Sequence, residues 1–552
     1  MTKNTLTQLE EAVKFHSINK IDIAEKIYEK IIEGDEKNFN ALYLLGTIKA
    51  QRQNYNEAIK LIEKSLNINK NNYLAYSNLA LIYFKENQLD KAKINYHNSI
   101  LLNPNYPESY NGLATVYLEQ KKYLLSITNY KKAVKLDKKN STYQLNIVKL
   151  LLILQRYDRA KIILNKILDL DPSNYETHYT QGIIFKRLKE FHLSKNSFLK
   201  SIELNPNHEK SYNEIGFLFY LEKDFKNALY YMNKSVRVNP AFKEGYLNIG
   251  MINLLNENFI EGWENFNKGK EVQKVNTKKS LWTGQLNLQS KSIFIYSEQG
   301  LGDIIQFSRY LFILKNYFKK IILKIPKSLT FLFSNINNMS NGKIEFVTDF
   351  KKIDDCDFYL SLMGLTLFFK QIPEEINYFD INDKLINKWS NKINKNNYNI
   401  GICWKAGKKK DLLYAEHADR RSFSLNEFSK IINLNNVKLI NLQKEHKEDQ
   451  KNIYYEKIKI FEEMDADKPF LDSAAIIMNC NLIITCDTSI AHLAGTLGKK
   501  TYLLLDYNND WRWGVNRDYS IWYKSIKIFR QDEAGLWDRP FTQVYNNIKS
   551  LL

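Results

Sequence analysis

Cysteine is scarce. Four thiols, Cys356, Cys403, Cys480 and Cys486, stand among 552 residues. No pair has CxxC spacing and no Cys/His set has zinc-finger spacing, so neither redox motif nor structural zinc is expected. Their apolar flanks suit buried thiols in a reducing compartment. No apolar run is long enough to span a bilayer. The opening Met1-Thr2-Lys3-Asn4 leads into a polar helix with Glu10 and Glu11, which is not a secretory leader. The expected compartment is the cytoplasm. Acidic residues are outnumbered, giving a net charge of +19 and a pI near 9.2. The lysines spread along the whole chain, and the densest cluster, Lys408-Lys409-Lys410, is short and lacks interleaved aromatics. No contiguous basic stripe forms, so a nucleic-acid partner is not expected.

What is present is enough for real cores. Apolar residues are 44% of the chain, and the length suits roughly three or four domains. A repeat with a period of 34 residues starts at residue 5. Its eighth positions are Ala12, Gly46, Ala80, Ala114, Val148, Gly182, Gly216 and Gly250. Its twentieth are Ala24, Ala58, Ala92, Ser126, Ala160, Ser194, Ala228 and Gly262. Its seventeenth are large and apolar, from Ile21 and Tyr55 to Phe225 and Phe259. Pro104, Pro172, Pro206 and Pro240 all occupy position 32. Small residues at 8 and 20 let two antiparallel helices approach closely, and the large residue at 17 is expected to fill the space beside them. Proline at 32 ends the second helix, because it lacks a donor and clashes with the preceding turn. One such unit cannot bury its own apolar face, so neighbours must stack.

The pattern resembles the tetratricopeptide repeat and predicts eight units over residues 5–271. The resemblance implies an all-α superhelix whose concave face binds a protein or peptide. In the O-linked N-acetylglucosamine transferases an asparagine ladder at position 6 grips peptide backbone. Here that position reads Glu10, Leu44, Asn78, Gly112, Asn146, Thr180, Glu214 and Asn248, so only three of eight match.

Periodicity fades after Lys270, and 272–289 reads as a connector. Its Trp282 either docks two modules together or packs inside one. Beyond it, short buried strands are expected at 292–296, 320–325, 344–347, 358–362, 398–404, 438–442, 482–485 and 501–505, with helices between most of them. Strand–helix alternation implies parallel sheets. Two sets suggest two Rossmann-like halves, 290–390 and 395–545, with ligands at the carboxyl ends of the strands.

Four segments could carry chemistry. Glu298-Gln299-Gly300-Leu301-Gly302-Asp303 puts two glycines in a strand-to-helix turn, where backbone can approach a ligand; Asp303 could equally be a first-turn acid favoured by the helix dipole. Cys486-Asp487-Thr488-Ser489, with Ile490, Ala491 and His492, opens a helix whose free N–H groups suit a diphosphate; the alternative is an N-cap with His492 in the core. Gly401-Ile402-Cys403-Trp404-Lys405-Ala406-Gly407 is a strand and loop followed by His417-Ala418-Asp419-Arg420-Arg421-Ser422-Phe423, cations that could meet phosphate or merely solvent. Tyr507-Asn508-Asn509-Asp510-Trp511-Arg512-Trp513-Gly514, with Trp522-Tyr523, could form a base or sugar platform or a domain-closing core.

Together, EQGLGDIIQFSRYL (298–311), GICWKAG (401–407), DRRSFSL (419–425), CDTSIAHLAGTLGKKTYLLL (486–505) and DWRWG (510–514) resemble the heptosyltransferase-like, family-9 type of glycosyltransferase, and bacterial proteins in which tetratricopeptide repeats precede that domain. The resemblance implies an α/β GT-B fold of two Rossmann-like halves. It makes Asp303 the base, Asp487, Thr488, Ser489 and His492 the holders of the donor diphosphate, and Arg421 the counterpart of a donor-contacting lysine. Trp404 is placed at the donor, and Gly300, Gly302 and Gln306 at the acceptor or its loop. The expected activity is transfer of a sugar from a nucleotide-sugar to an acceptor recruited by the repeats, by an inverting displacement with no cofactor and no metal, since cations and a helix dipole neutralise the leaving group. Two rivals stand beside it. Asp355-Cys356-Asp357 and Asp465-Ala466-Asp467 match the DxD pattern of metal-dependent transferases, and the chain could be a scaffold whose transferase-like domain is inactive.

Overall fold

The computed structural model describes residues 3–270, 275–298, 300–334, 336, 342–373, 377–407 and 418–552. Gln299, the Lys408-Lys409-Lys410 cluster, His417 and the first residues of the connector lie outside the described residues. The chain divides into two compact units, 1–215 and 216–552, with the boundary inside the first helix of repeat seven.

Among the described residues, sixteen helices run in pairs from Lys3–Ser17 and Ile21–Gly34 to Lys243–Leu255 and Phe259–Gly269. The register is written in backbone geometry as well as in side chains. Position 15 has a positive φ in all eight units: Asn19, Gln53, Asn87, Lys121, Gln155, Lys189, Lys223 and Glu257. One residue later the N–H reaches back to the first helix, as in Asn54 to Lys49 O (2.9 Å) and Asn258 to Asn253 O (2.8 Å). This left-handed turn with a six-to-one bond closes the first helix of each unit.

Two expectations are corrected. The residue that fills the space against position 8 is at 24, not 17. An added Cβ at Gly46, Gly182, Gly216 or Gly250 would come within 2.6 Å of Ile62, Phe198, Met232 or Phe266, respectively, and all four of those side chains are buried. Position 17 begins the second helix and is only half-buried, with Phe191 37% exposed. The second helix also ends before proline. It stops at position 30, and an Asn or Asp at 31 accepts the N–H of residue 33, as Asp35 does from Lys37 (3.1 Å) and Asn239 from Ala241 (3.0 Å). This Asx turn occurs in all seven linkers between repeats, whereas proline follows it in only four.

The asparagine ladder is partly spent on the array itself. Asn78 donates to Tyr43 Oη and Asn146 to Asn111 Oδ1, each at 2.8 Å; both acceptors are at position 5 of the preceding repeat.

In the second unit, two five-stranded sheets follow the last repeats. The strands are β1 (Ser280–Leu281), β2 (Leu288–Tyr296), β3 (Phe318–Lys324), β4 (Ile344–Val347), β5 (Phe358–Ser361), β6 (Tyr398–Cys403), β7 (Val437–Asn441), β8 (Leu482–Cys486), β9 (Thr501–Leu505) and β10 (Ile526–Arg530). The orders are β1-β5-β2-β3-β4 and β10-β9-β8-β6-β7, parallel throughout. Strand β1 lies in the segment read as a connector; two residues are too short to show a period. Strand β10 was not anticipated. Trp282 is fully buried against Phe318 and Phe368 (ring centroids 5.6 and 4.7 Å), so it packs within the first sheet's layer. Each sheet has a point where its strand order reverses: between β2 and β5, and between β6 and β8. Ligand crevices open at the carboxyl ends of strands at such points.

Position 8 of the last repeat tests the packing rule. A Cβ at Gly250 would stand 2.4 Å from Phe266 N, a backbone atom that cannot rotate away. Gly250→Ala should destabilise the chain by about 1–3 kcal/mol, read as a lowered midpoint in urea unfolding; an unchanged midpoint would contradict it.

Candidate functional site

Both reversal points carry the segments singled out in the sequence. After β2 the chain turns at Gly300 into the helix Leu301–Phe307; after β8 it turns at Asp487 and Thr488 into the helix Ser489–Thr496. The two helix starts meet. A Cβ on Gly302 would lie 2.7 Å from His492 Cδ2 and 3.5 Å from Ser489 Cα, so glycine is needed for the approach. Asp303, in the first turn of one helix, therefore lies next to the start of the other.

Asp303 is tightly engaged. One carboxylate oxygen accepts the Gly300 N–H at 2.9 Å; the other pairs with Arg512. Arg512 also donates through Nη1 to Asp510 (2.7 Å) and through Nε to Gln306 (2.9 Å), and lies 4.2 Å from the centroid of the Trp511 ring. Burial works against this charge, but Asp303, Asp510 and Asp487 outweigh it, so the guanidinium is held more firmly protonated than usual. Gln306 is fully buried. Its Oε1 accepts from Arg512, while its buried Nε2 has no partner among the described residues, so it stands behind Arg512 and not on an open surface.

The donor-side residues divide into layers. Arg421 donates to Asp487 through its carbonyl (3.2 Å) and its carboxylate (3.5 Å). Burial pushes the Asp487 carboxyl up, and Arg421 pulls it back. Thr488 does not cap the helix; its hydroxyl contacts Thr485 Oγ1 (3.1 Å) and Cys486 O (3.3 Å). Ser489 is the half-exposed first residue of the helix. His492 is buried, with Nδ1 3.0 Å from Tyr523 Oη and its ring stacked on Trp513 at 5.4 Å. Burial, with Arg512, Arg309 and Arg421 nearby, drives its pKa well below the usual value, so it is neutral and fills the joint between the halves. Trp404 is completely buried, with Nε1 bonded to Asp449 at 3.1 Å. Its ring has no open face for a donor and belongs to the core around Phe423 and Phe428. Of the aromatic loop, Trp511, Trp513, Trp522 and Tyr523 are all buried. They are the domain-closing core, and a platform for a base or sugar is not built from them.

The DxD triplets are absorbed locally. Asp357 accepts Ser292 N (2.8 Å) and pairs with Lys291 (3.1 Å). Asp465 accepts the N–H groups of Asp472 and Ser473, each at 3.1 Å, at the start of the helix Leu471–Asn479.

Sequence reading missed three groups. Lys270, just past the last repeat helix, pairs with Glu298 and reaches Ser361 Oγ at 3.4 Å. Burial lowers its pKa to about 8, opposed by Asp303. Arg512 lies within the DWRWG segment (510–514), where nothing in the sequence distinguishes it from its neighbours. Asp506, the first residue after β9, is 5% exposed. Burial raises its carboxyl to about 6, Arg420 draws it down and Asp487 adds to the rise. Its place at a strand's carboxyl end was the available signal.

Five consecutive stretches, 39–72, 73–106, 107–140, 141–174 and 175–208, match the tetratricopeptide repeat family. A comparison with curated proteins found no match. Similar solved structures include pilF of Pseudomonas aeruginosa (15% identity, 37% of this chain and 92% of that one, TM-score 0.33). A tetratricopeptide repeat protein from Parabacteroides merdae is 16% identical over 45% of this chain and 98% of its own, with TM-score 0.41. YrrB, a TPR protein with an unusual peptide-binding site, is 19% identical over 33% and 95%, with TM-score 0.26.

Because the folded pKa of Asp506 lies above its unfolded value near 3.9, the associated stability is full below that value and is lost as pH rises through about 6. At neutral pH the buried carboxylate is a net cost. Asp506→Asn should therefore raise the melting temperature at pH 7.5, by an amount equivalent to about 3 kcal/mol in stability, and the gain should vanish near pH 4. A gain that is equal at both pH values would refute the assignment. Whatever the α/β region does, the N-terminal part of the chain is a tetratricopeptide-repeat array, a scaffold capable of binding protein.

Proposed function

We infer that residues 290–545 are a GT-B-type glycosyltransferase that moves a sugar from a nucleotide-sugar to a protein or glycan acceptor recruited by the repeats. The observation that carries this reading is the meeting of Asp303 with the Asp487–Ser489 helix start and two arginines, at the carboxyl ends of two parallel sheets. Opposed crevices of this kind suit a donor on one side and an acceptor on the other.

The Ser489–Thr496 helix start offers unpaired N–H groups to a diphosphate, and Arg421, oriented by Asp487, adds a cation. An acceptor hydroxyl enters beside Asp303. Its oxygen bonds to the anomeric carbon as the bond to the diphosphate oxygen breaks. The proton passes to the Asp303 carboxylate, and the diphosphate leaves with the electron pair. A single displacement inverts the anomeric centre. The negative charge that develops on the leaving group faces Arg421 and the helix start, so the protein's own cations stabilise it.

A second reading has its own support. Both oxygens of Asp303 already have partners, Arg512 and Gly300 N–H, as they would in a transferase fold retained only as scaffold.

Calorimetry of the full chain with UDP, GDP, ADP and CDP separates the two. The transferase reading expects one of them to bind, and Arg421→Ala to weaken it about tenfold or more, the worth of a charged hydrogen bond. Asp303→Asn should leave that binding intact while cutting turnover roughly 10²–10⁴-fold. No binding by any of the four would favour the scaffold.

A further inference from the structure

The left-handed turn residue at position 15 closes every repeat, but in the last two it also reaches outward to one loop. Lys223 Nζ lies 3.5 Å from the centroid of the Tyr507 ring. Glu257 pairs with Arg517. From the helix that follows Glu257, Trp263 meets Trp511 edge-on at 5.1 Å and Phe307 at 6.0 Å.

That loop, 507–517, has little structure of its own beyond one tight turn at Trp511–Trp513. Its carbonyls are held by side chains, one from the loop's own end and two from beyond it. Arg517 Nη2 and Trp522 Nε1 both donate to Arg512 O (3.3 and 3.0 Å), and Arg530 Nη2 donates to Trp513 O at 2.6 Å. Arg517 is buried, so burial lowers its pKa while Glu257 supports the charge. Removing a partner from a buried cation is costly.

We propose that Glu257 and Trp263, side chains of the eighth repeat, are positioning residues for Asp303, acting through the loop that carries Arg512. The chain of contacts is short: Glu257 to Arg517, Arg517 to the Arg512 carbonyl, Arg512 to the Asp303 carboxylate, and that carboxylate to the Gly300 N–H. Trp263 reaches the same two ends directly, through Trp511 and Phe307. The catalytic half of the inference rests on the transferase reading; the mechanical half does not. The last repeat is thus part of the site's frame, and Glu257 and Trp263 set how firmly the Asp303 carboxylate is aimed.

Two measurements on the full chain test this. Glu257→Gln removes a charge from a half-exposed side chain and leaves its shape; Trp263→Phe is the second variant, since it keeps a ring in the same space. Hydrogen exchange should quicken about tenfold, a 1.4 kcal/mol loosening, in 507–517 and also at Gly300 and the turn after it, while 39–208 stays unchanged. Unchanged exchange around Gly300 in both variants would overturn the proposal. With a donor identified, Glu257→Gln should lower kcat at unchanged donor KM, and its effect should largely vanish in an Asp303→Asn background; additive losses would overturn it. If the unaltered chain transfers no sugar, the transferase reading fails, and the exchange result alone decides the coupling.

Discussion

A guanidinium group taken out of water must be supplied with acceptors in fixed places, and Arg512 organises the α/β region by that demand. Its three donor nitrogens are met by Asp303 and Gln306 after the second strand and by Asp510 after the ninth, while Trp511 covers its face. Acceptors from both halves are therefore bound to one planar, rigid fork. Arg309 makes the reverse tie, donating from the first half to Trp522 O at 2.8 Å and lying over the Tyr523 ring at 4.7 Å. The neutral His492 and the bare Gly302 occupy the seam between them. A side chain at Gly302 would collide with His492 and push the two helix starts apart.

The site is assembled against local stability. Asp506, Asp487 and Lys270 are all held in surroundings that oppose their charge. Groups strained in this direction collect where chemistry or ligand binding makes use of them. The repeats show the opposite economy. Most of their buried positions are apolar or small, and many of their polar positions make Asx turns and caps; buried His208, whose protonation burial opposes, is an exception.

How much could be read from the sequence follows the same division. Periodic information was legible to the residue: the 34-residue register, the small positions at 8 and 20, and strands at 344–347 and 501–505. Elements too short to show a period were not, as with Ser280–Leu281. A large residue at 17 looked like a filler because it was large at every repeat; only three-dimensional packing reveals that Ile62, Phe198, Met232 and Phe266 at position 24 face the small residue. Within the site, Asp303 and Asp487 stand out because they follow strand ends beside glycines or hydroxyls, whereas Arg421, far from any strand end, is marked only by the family resemblance. Trp404 and Gln306 lie in the same motifs but point into cores, and motif membership does not carry direction. Arg512 was hidden because two of its three carboxylate and amide partners, Asp303 and Gln306, are some 200 residues away in the chain.

The last strand gives this arrangement a timetable. Arg530, at the end of β10, supplies donors to Trp513 O, Gly514 O and Arg517 O, the carbonyls that give the Arg512 loop its course. During synthesis the repeats and nine of the ten described strands are made before that residue appears. A nascent chain can thus stack its helical hairpins and assemble most of both sheets while the Arg512 loop is still unfastened. The fastening of that loop waits for a side chain made after nine of the described strands, so a chain interrupted between β9 and Arg530 would lack the donors that hold the Arg512 loop in place.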